Sequence, residues 1–339
     1  MPSAGTTKIT TDGIDRAIIH ALQLSPRAGF SLIASVVGVS EQTAARRYRR
    51  LVADGVIRVI AATGPNRAAN AWILRVQCRP NAGGPMAEAL AAMPDVSWVS
   101  LVAAGSEIVC AVRARDRSDS DELLLRRIPR TAEVLNFSAH AALHPFRSGR
   151  ADDWTGYDDL LDERQQHALL DELTPIDYQP GFGYRPEDID AGLVHALSRD
   201  GRLPVIELAK ATGSSDGRVV RRLDHLQRAG ELRFEVELAA TQLGFGTTAF
   251  LWVMVEPAEL AAAGEAIAGH REVSFAAAIT GPANLMVSVM ARDAEDLYRY
   301  VTDGIGSIPG IRQVEIGISL RRVKYERTRV TNERLKTLA

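Results

Sequence analysis

Apolar residues recur at helical spacing near the start of the chain. Ile14, Ala17, Ile18, Ala21 and Leu22 share one face and predict a helix over about 12–23. A second helix is predicted over about 31–37. Gly38 follows it where a left-handed turn residue is wanted, a conformation Gly adopts without steric cost. Ser40 is placed to cap a third helix running to about Asp54, its hydroxyl accepting an orphan backbone N–H. Gly55 ends that helix, and Val56-Ile57-Arg58-Val59-Ile60 is short, β-branched and extended. Helix, turn, helix and strand in this order predict a winged helix-turn-helix, an arrangement that reads DNA.

The polar positions sharpen this picture. On the third helix Ala44, Tyr48 and Leu51 fall within one arc and are expected to pack on the other helices. The opposite arc carries Gln42, Arg46 and Arg49, with Arg50 at its flank. Long cationic side chains on the outer face of such a helix suit phosphates and guanine edges. The candidate DNA-binding residues are Ser40, Gln42, Thr43, Arg46, Arg47, Arg49 and Arg50.

The whole stretch occurs twice. Ile14–Arg58 aligns without a gap on Ile189–Arg233, a constant offset of 175 residues with 14 identities in 45 positions. Long-period repeats of this kind decide how a fold is read. The second copy adds Arg218, Arg221 and Arg222 to the candidate set. Its charge is lower, a net +1 over Ser215–His225 against +3 over Ser40–Arg50, with Asp224 standing where the first copy has Arg49. Carboxylates near phosphate oppose binding. The first unit is expected to make most of the DNA contact and the second to be a weaker reader.

After each unit the periodicity changes. Strands are predicted over 71–79, 96–103, 107–113 and 133–143, with helices over 85–93 and 118–128; the order is βαββαβ. It recurs with strands over 248–256, 273–280, 284–290 and 311–320 and helices over 258–268 and 294–305. The predicted organisation is therefore a polar tail (1–11), a winged helix-turn-helix (12–68), a βαββαβ domain (69–146) and a linker with a partial helix (147–186). A second winged helix-turn-helix (187–241), a second βαββαβ domain (242–323) and a charged tail (324–339) follow. The linker is read as a helix over Asp158–Leu173 and a loop over Tyr178–Pro186. As a flexible coil it would span about 35 Å. The fold class is α+β: a duplicated winged helix-turn-helix plus ferredoxin-like (RAM-type) domain, forming an intramolecular pseudo-dimer with its two sheets packed together.

Composition narrows the classes. At 339 residues the chain suits two to four domains, and 46% hydrophobic residues can fill their cores. The net charge of −2 does not announce a nucleic-acid binder, but DNA contact needs only a local patch. Cys78 and Cys110 lie on predicted strands without metal-site spacing and read as buried small hydrophobes. His20 and His195 hold matching helix positions, which favours a structural role, and the remaining histidines are scattered. No metal or cofactor is expected. No signal peptide or 18-residue apolar run is visible, so the protein is expected in the cytoplasm, away from membranes.

The Ile-Asp openings, Gly38-Val39-Ser40, Arg46-Arg47-Tyr48-Arg49-Arg50-Leu51 and Gly55-Val56-Ile57-Arg58, with their second-copy partners, resemble the Lrp/AsnC family of transcription regulators. The resemblance covers about residues 12–146 and 188–322. It implies double-stranded DNA as partner, an effector such as an amino acid, and self-association of chains. It also places an effector turn between the second and third strands of each βαββαβ domain, at Gly105, Ser106 and Glu107 in the first and Gly281 and Asn284 in the second. The aromatic residue usual in that turn is absent from both copies. An ammonium group would pair with Glu107 but not with Asn284.

Two other readings share this architecture. The chain resembles sirohaem decarboxylases, enzymes built from two such modules. These carry His, Tyr and Arg on the strand after the first helix of the βαββαβ domain. Here that strand reads Val96-Ser97-Trp98-Val99-Ser100-Leu101 and Val273-Ser274-Phe275-Ala276-Ala277-Ala278, with no proton donor or anion clamp of that kind. The third reading is a regulator-derived interaction scaffold without DNA binding. The chain is expected not to be an enzyme.

Overall fold

The computed structural model describes residues 11–63, 71–113, 131–148, 154–171 and 184–336. The helix predicted over Ser118–Ile128 and most of the Tyr178–Pro186 loop lie outside them. The first module contains α1 (Gly13–Leu24), α2 (Phe30–Val37), α3 (Glu41–Ala53), β1 (Ile57–Thr63), β2 (Ala71–Cys78), α4 (Gly83–Ala91), β3 (Val96–Val102), β4 (Glu107–Arg113) and β5 (Val134–Arg147). Then come α5 (Glu163–Asp171), α6 (Asp188–Arg199), α7 (Val205–Thr212), α8 (Asp216–Arg228) and β6 (Leu232–Leu238). The second sheet domain contains β7 (Thr247–Val255), α9 (Leu260–Ala268), β8 (Val273–Ile279), β9 (Leu285–Ala291), α10 (Ala294–Arg299) and β10 (Ile311–Arg322), before the two-residue strands β11 (Val330–Thr331) and β12 (Arg334–Leu335).

These elements form two compact units, and each unit draws on both repeats. One combines Ile9–Asn66 with Tyr157–Ala239, the other Arg67–Gly156 with Ala240–Lys336. Like thus packs with like across the duplication.

In the helical unit, α1 begins with a reciprocal cap: Asp12 accepts from the Asp15 backbone N–H at 2.9 Å, and Asp15 accepts from that of Asp12 at 3.1 Å. Gly38 takes φ +79 and Gly213 φ +61, each closing the helix before the turn. Ile18, Ile33, Ala44 and Leu51 are fully buried in the first triad of helices; Leu193, Leu208 and Val219 are fully buried in the second. The expected wing strands pair with each other: β1 runs antiparallel to β6 with Ile60 opposite Glu235. Those two residues are themselves equivalent in the repeat, so a pseudo-two-fold axis passes between them.

The spacer carries the expected partial helix and is packed against the first three helices. Tyr157 and Leu161 are buried in the helical unit. The Leu161 N–H donates to His20 Nδ1 at 2.9 Å, and Gln165 Nε2 donates to the Val36 carbonyl at 2.9 Å. Apolar side chains at 157 and 161 had a surface to cover, so this part of the segment packs rather than tethers. The predicted helix starts later, at Glu163, and the described part runs to Asp171.

In the sheet unit, each half has the ferredoxin-like strand order, β5-β2-β4-β3 and β10-β7-β9-β8. The halves do not merely stack. β5 pairs with β8 and β10 with β3, closing one eight-stranded barrel. Closure removes the sheet edges that would otherwise invite pairing with other chains. The central strands β8 and β9 are apolar on both faces because both are covered, whereas β5 and β10 expose much of theirs. Leu74, Val96, Ile108 and Val112 lie with Leu90 of α4 on the outer side; Ile73, Val109, Phe250, Trp252 and Phe275 fill the inside. Cys78 and Cys110 are free and buried, and burial pushes the Cys110 thiol up to about 12.

One further expectation is corrected. The helix predicted over 294–305 is α-helical only to Arg299 and ends in a π-helical turn, Tyr300–Ile305. The charged tail from Lys324 folds back as the β11–β12 hairpin, and Lys324 Nζ, buried, donates to the carbonyls of Met93 (2.8 Å) and Val96 (2.7 Å).

Candidate nucleic-acid interface and effector turns

The third helix of each triad is set by its first residue. Ser40 caps α3, accepting from the Thr43 N–H at 3.2 Å and donating to Thr43 Oγ1 at 2.9 Å; Ser215 caps α8 in the same way. Ser40 and Thr43 are thereby used to start the helix. One face of α3 then packs inward, with the Tyr48 ring tilted against Phe30 at 5.3 Å between centroids.

The cations divide into two groups. Arg47 reaches Asp12 (2.7 Å) and Asp15 (2.9 Å), and Arg50 also pairs with Asp15, whose side chain is 1% exposed. The second unit repeats the clamp more tightly. Arg222, 6% exposed, makes a two-pronged bond to Asp190 at 2.6 and 2.7 Å, and Arg218 holds Asp188 at 2.7 Å and Glu187 at 3.1 Å. These four arginines, candidates for DNA contact in the sequence, tie the third helix to the start of the first. By contrast Gln42, Arg46, Arg49 and Arg221 are exposed. Among the described residues none of those three arginines meets a carboxylate. Asp224, where the first unit has Arg49, pairs with Arg228 at 2.9 Å.

A signal for the clamp was present in the sequence. Asp15 and Asp190 recur together with Arg47 and Arg222, and a pair repeated as a pair suggests contact. Sequence reasoning counted only the arginines. Arg27 and Arg202, matched in the repeat, are a further pair: both bond to loop carbonyls of the opposite repeat. His20 is buried and accepts from the Leu161 N–H, while its counterpart His195 is exposed.

The effector-turn residues are engaged within the barrel unit. Gly105 takes φ +89, and the Ser106 hydroxyl donates to the Ala103 carbonyl at 2.8 Å. Glu107 is buried and receives Arg75 at 2.6 and 3.2 Å. Gly281 has φ +118, and a Cβ there would lie 2.5 Å from His140 Nδ1. Asn284 spends its amide on Val255, accepting from its N–H at 2.9 Å and donating to its carbonyl at 2.8 Å. Among the described residues no group of three His, Cys, Asp or Glu side chains could hold a metal ion, and no helix is long and apolar enough to cross a membrane.

Comparison with known proteins agrees with this geometry. Residues 12–52 and 187–227 match the AsnC-type helix-turn-helix domain, and residues 248–329 match the Lrp/AsnC ligand binding domain. The chain is 27% identical over 136 residues to the HTH-type transcriptional regulator FL11 of Pyrococcus abyssi (strain GE5 / Orsay), an alignment covering 40% of this chain and 89% of FL11. It is also 27% identical over 139 residues to the HTH-type transcriptional regulator LrpA of Pyrococcus horikoshii, covering 41% of this chain and 99% of LrpA. Such relatives are one module long. The tandem itself is similar to the crystal structure of the siroheme decarboxylase NirDL, which matches over 93% of both chains with a TM-score of 0.58 and 15% sequence identity, a likeness of fold alone. The chain belongs to the Lrp/AsnC family of transcriptional regulators, as two modules fused in tandem.

Proposed function

We propose that the chain is a sequence-specific DNA-binding regulator that reads DNA mainly through α3 and responds to a small molecule. One observation carries this reading. Gln42, Arg46 and Arg49 stand exposed on the outer face of α3, and neither arginine is spent on a carboxylate, while Arg47 and Arg50 hold the helix in place. A rigid helix presenting unpaired guanidinium groups suits phosphates and base edges of the major groove. Of the second unit's candidate arginines, Arg218, Arg221 and Arg222, only Arg221 meets no carboxylate among the described residues; Asp216 and Asp224 share its helix, and this unit contributes less. Self-association of chains brings two α3 helices onto one duplex when they stand about 34 Å apart or a multiple of it.

The test is a gel-shift titration on the protein's own upstream DNA at two salt concentrations, with wild type and Arg46→Ala. Tight, salt-sensitive binding that the variant loses supports the reading. Equal binding by wild type and variant overturns it.

The small molecule is proposed from the ligand binding domain, not from the turn residues. An amino-acid ammonium at Glu107 would have to displace Arg75. A thermal-shift screen of amino acids without a hit would remove that class. The decarboxylase reading finds no support at β3 and β8, which offer Ser97, Trp98, Ser274 and Phe275 where such chemistry needs a proton donor and a cation.

A further inference from the structure

The two ends of the barrel are built differently. An offset of 177 residues relates the halves strand by strand. Ile73, Ala111, Ala142 and Pro145 of the first half thus match Phe250, Ser288, Ser319 and Arg322 of the second. The second set fills its space: the Arg322 guanidinium lies over the rings of Phe250 at 5.7 Å and Tyr325 at 5.1 Å. The first set is short. Ile73, Ala111, Ala142 and Pro145, with Phe275 and Trp98, enclose a void of about 10 Å³, room for one water molecule.

Two features bear on this end; the first is shared by Ser100, opposite Arg322 at the other, whose buried Oγ also has no partner among the described residues. Ser97 is 4% exposed, and its Oγ makes no hydrogen bond among the described residues. It lies opposite Ala111, on the same inward face. Its counterpart Ser274 lies 3.0 Å from Ser288 Oγ and 3.2 Å from the Ser288 carbonyl, so alanine at 111 has removed the side-chain acceptor that the other half keeps. An unpaired buried hydroxyl is the exception in a folded interior and calls for an explanation. The second feature is Trp98. Its φ is +51, rare for a bulky residue, and it sits where the pairing of β3 with β4 shifts register. Its ring meets Phe275 edge-on at 5.3 Å and is only partly buried.

We propose that this end of the barrel binds a small, neutral, flat aromatic molecule with one hydrogen-bonding atom, of the size of indole, which takes the place of the Trp98 ring against Phe275 and bonds to Ser97 Oγ. Trp98 is the gate. Turning outward releases a strained backbone, and the guest replaces the ring contact that is lost. The lining carries no charged side chain, so a zwitterionic amino acid is excluded by the cost of burying its charges without partners. A neutral guest carries no such cost; of the hydroxyls here, Ser148 in the lining already has a partner, while Ser97, opposite the lining residue Ala111, does not.

The test uses the full chain and 5-fluoroindole followed by 19F NMR. Wild type should show saturable broadening and shift of the fluorine line. Ala142→Leu, which fills the void, should weaken binding at least tenfold, and so should Ser97→Ala, which removes the hydroxyl without enlarging any side chain. Saturable binding lost in both variants supports the site. No saturable binding to wild type, or wild-type affinity in a folded Ser97→Ala, overturns it, and Ser97 then bonds only to water.

Discussion

Arg27 and Arg202 hold matching positions in the two repeats, and each donates to the other repeat's loop. Arg27 bonds to the carbonyls of Gly201 and, at 3.2 Å, Leu203; Arg202 bonds to those of Pro26 and Ala28, both at 2.7 Å. The four acceptors are equivalent pairs, so one contact is made twice about the pseudo-two-fold axis. Burial lowers both guanidinium pKa values, yet neither cation approaches neutrality at physiological pH. Charged donors on buried carbonyls make strong bonds. Arg202→Ala should destabilise the helical unit by about 3 kcal/mol, from two such bonds of about 1.5–3 kcal/mol each less the rotamer entropy regained. Urea unfolding with the midpoint unchanged in both Arg27→Ala and Arg202→Ala would show that the exchange holds nothing.

The two groups of arginines on α3 should separate by assay. Arg46→Ala and Arg49→Ala should leave the melting temperature in place and each weaken DNA binding by about 1–3 kcal/mol. Each should also lower the salt slope by about 1 if its contact is to phosphate. Arg47→Ala should do the reverse in the first instance: it leaves Asp15, 1% exposed, with one partner fewer and should lower the melting temperature. Arg221→Ala should weaken DNA binding less than Arg46→Ala.

His20 makes the helical unit acid-sensitive. Burial lowers its pKa below the ordinary 6.5, and its Nδ1 accepts the Leu161 N–H, which requires that nitrogen to be unprotonated. The unfolded chain therefore binds the proton more readily than the folded one. Stability is constant above the unfolded pKa and falls as the pH drops below about 6.5, until the folded pKa is passed. Thermal melts between pH 7.5 and 5 should show this loss, and His20→Asn, whose amide oxygen can accept the same N–H, should flatten it.

Arg75 crosses between the halves of the barrel. It bonds to Glu107 of its own half and Glu315 of the other, both at 2.6 Å, and its guanidinium lies 4.9 Å from the Trp252 ring. Trp252 is the position equivalent to Arg75, so a pairing of two identical halves could not build this contact. Glu107→Ala should cost about 2 kcal/mol, less than a fully buried pair because Glu315 keeps Arg75 paired. The double variant Glu107→Ala/Glu315→Ala should cost more than the sum of the singles, measured by urea unfolding.

Much of the architecture is legible in the sequence. Helical periodicity, the turn glycines Gly38 and Gly213 and the caps Ser40 and Ser215 act over a few residues, and their elements fall within one or two residues of prediction. The α+β duplication follows from the 175-residue repeat. The spacer and the C-terminal tail were less legible because composition cannot say which surface a buried Tyr157 or Lys324 will find. The candidate DNA-binding set was legible as a face but not as a division of labour.

The chain by itself determined two helix-turn-helix units and two βαββαβ domains, because caps, turns and apolar periods are local properties of neighbouring residues. Only the tertiary structure decided that Arg47 and Arg222 are clamps while Arg46 and Arg49 are exposed and unpaired, that β5–β8 and β10–β3 close a barrel, and that Ala111 leaves Ser97 without a partner. Each of those depends on which surfaces meet across tens to hundreds of residues. Hydrogen-bond and charge partners chosen at that range leave no period in the sequence.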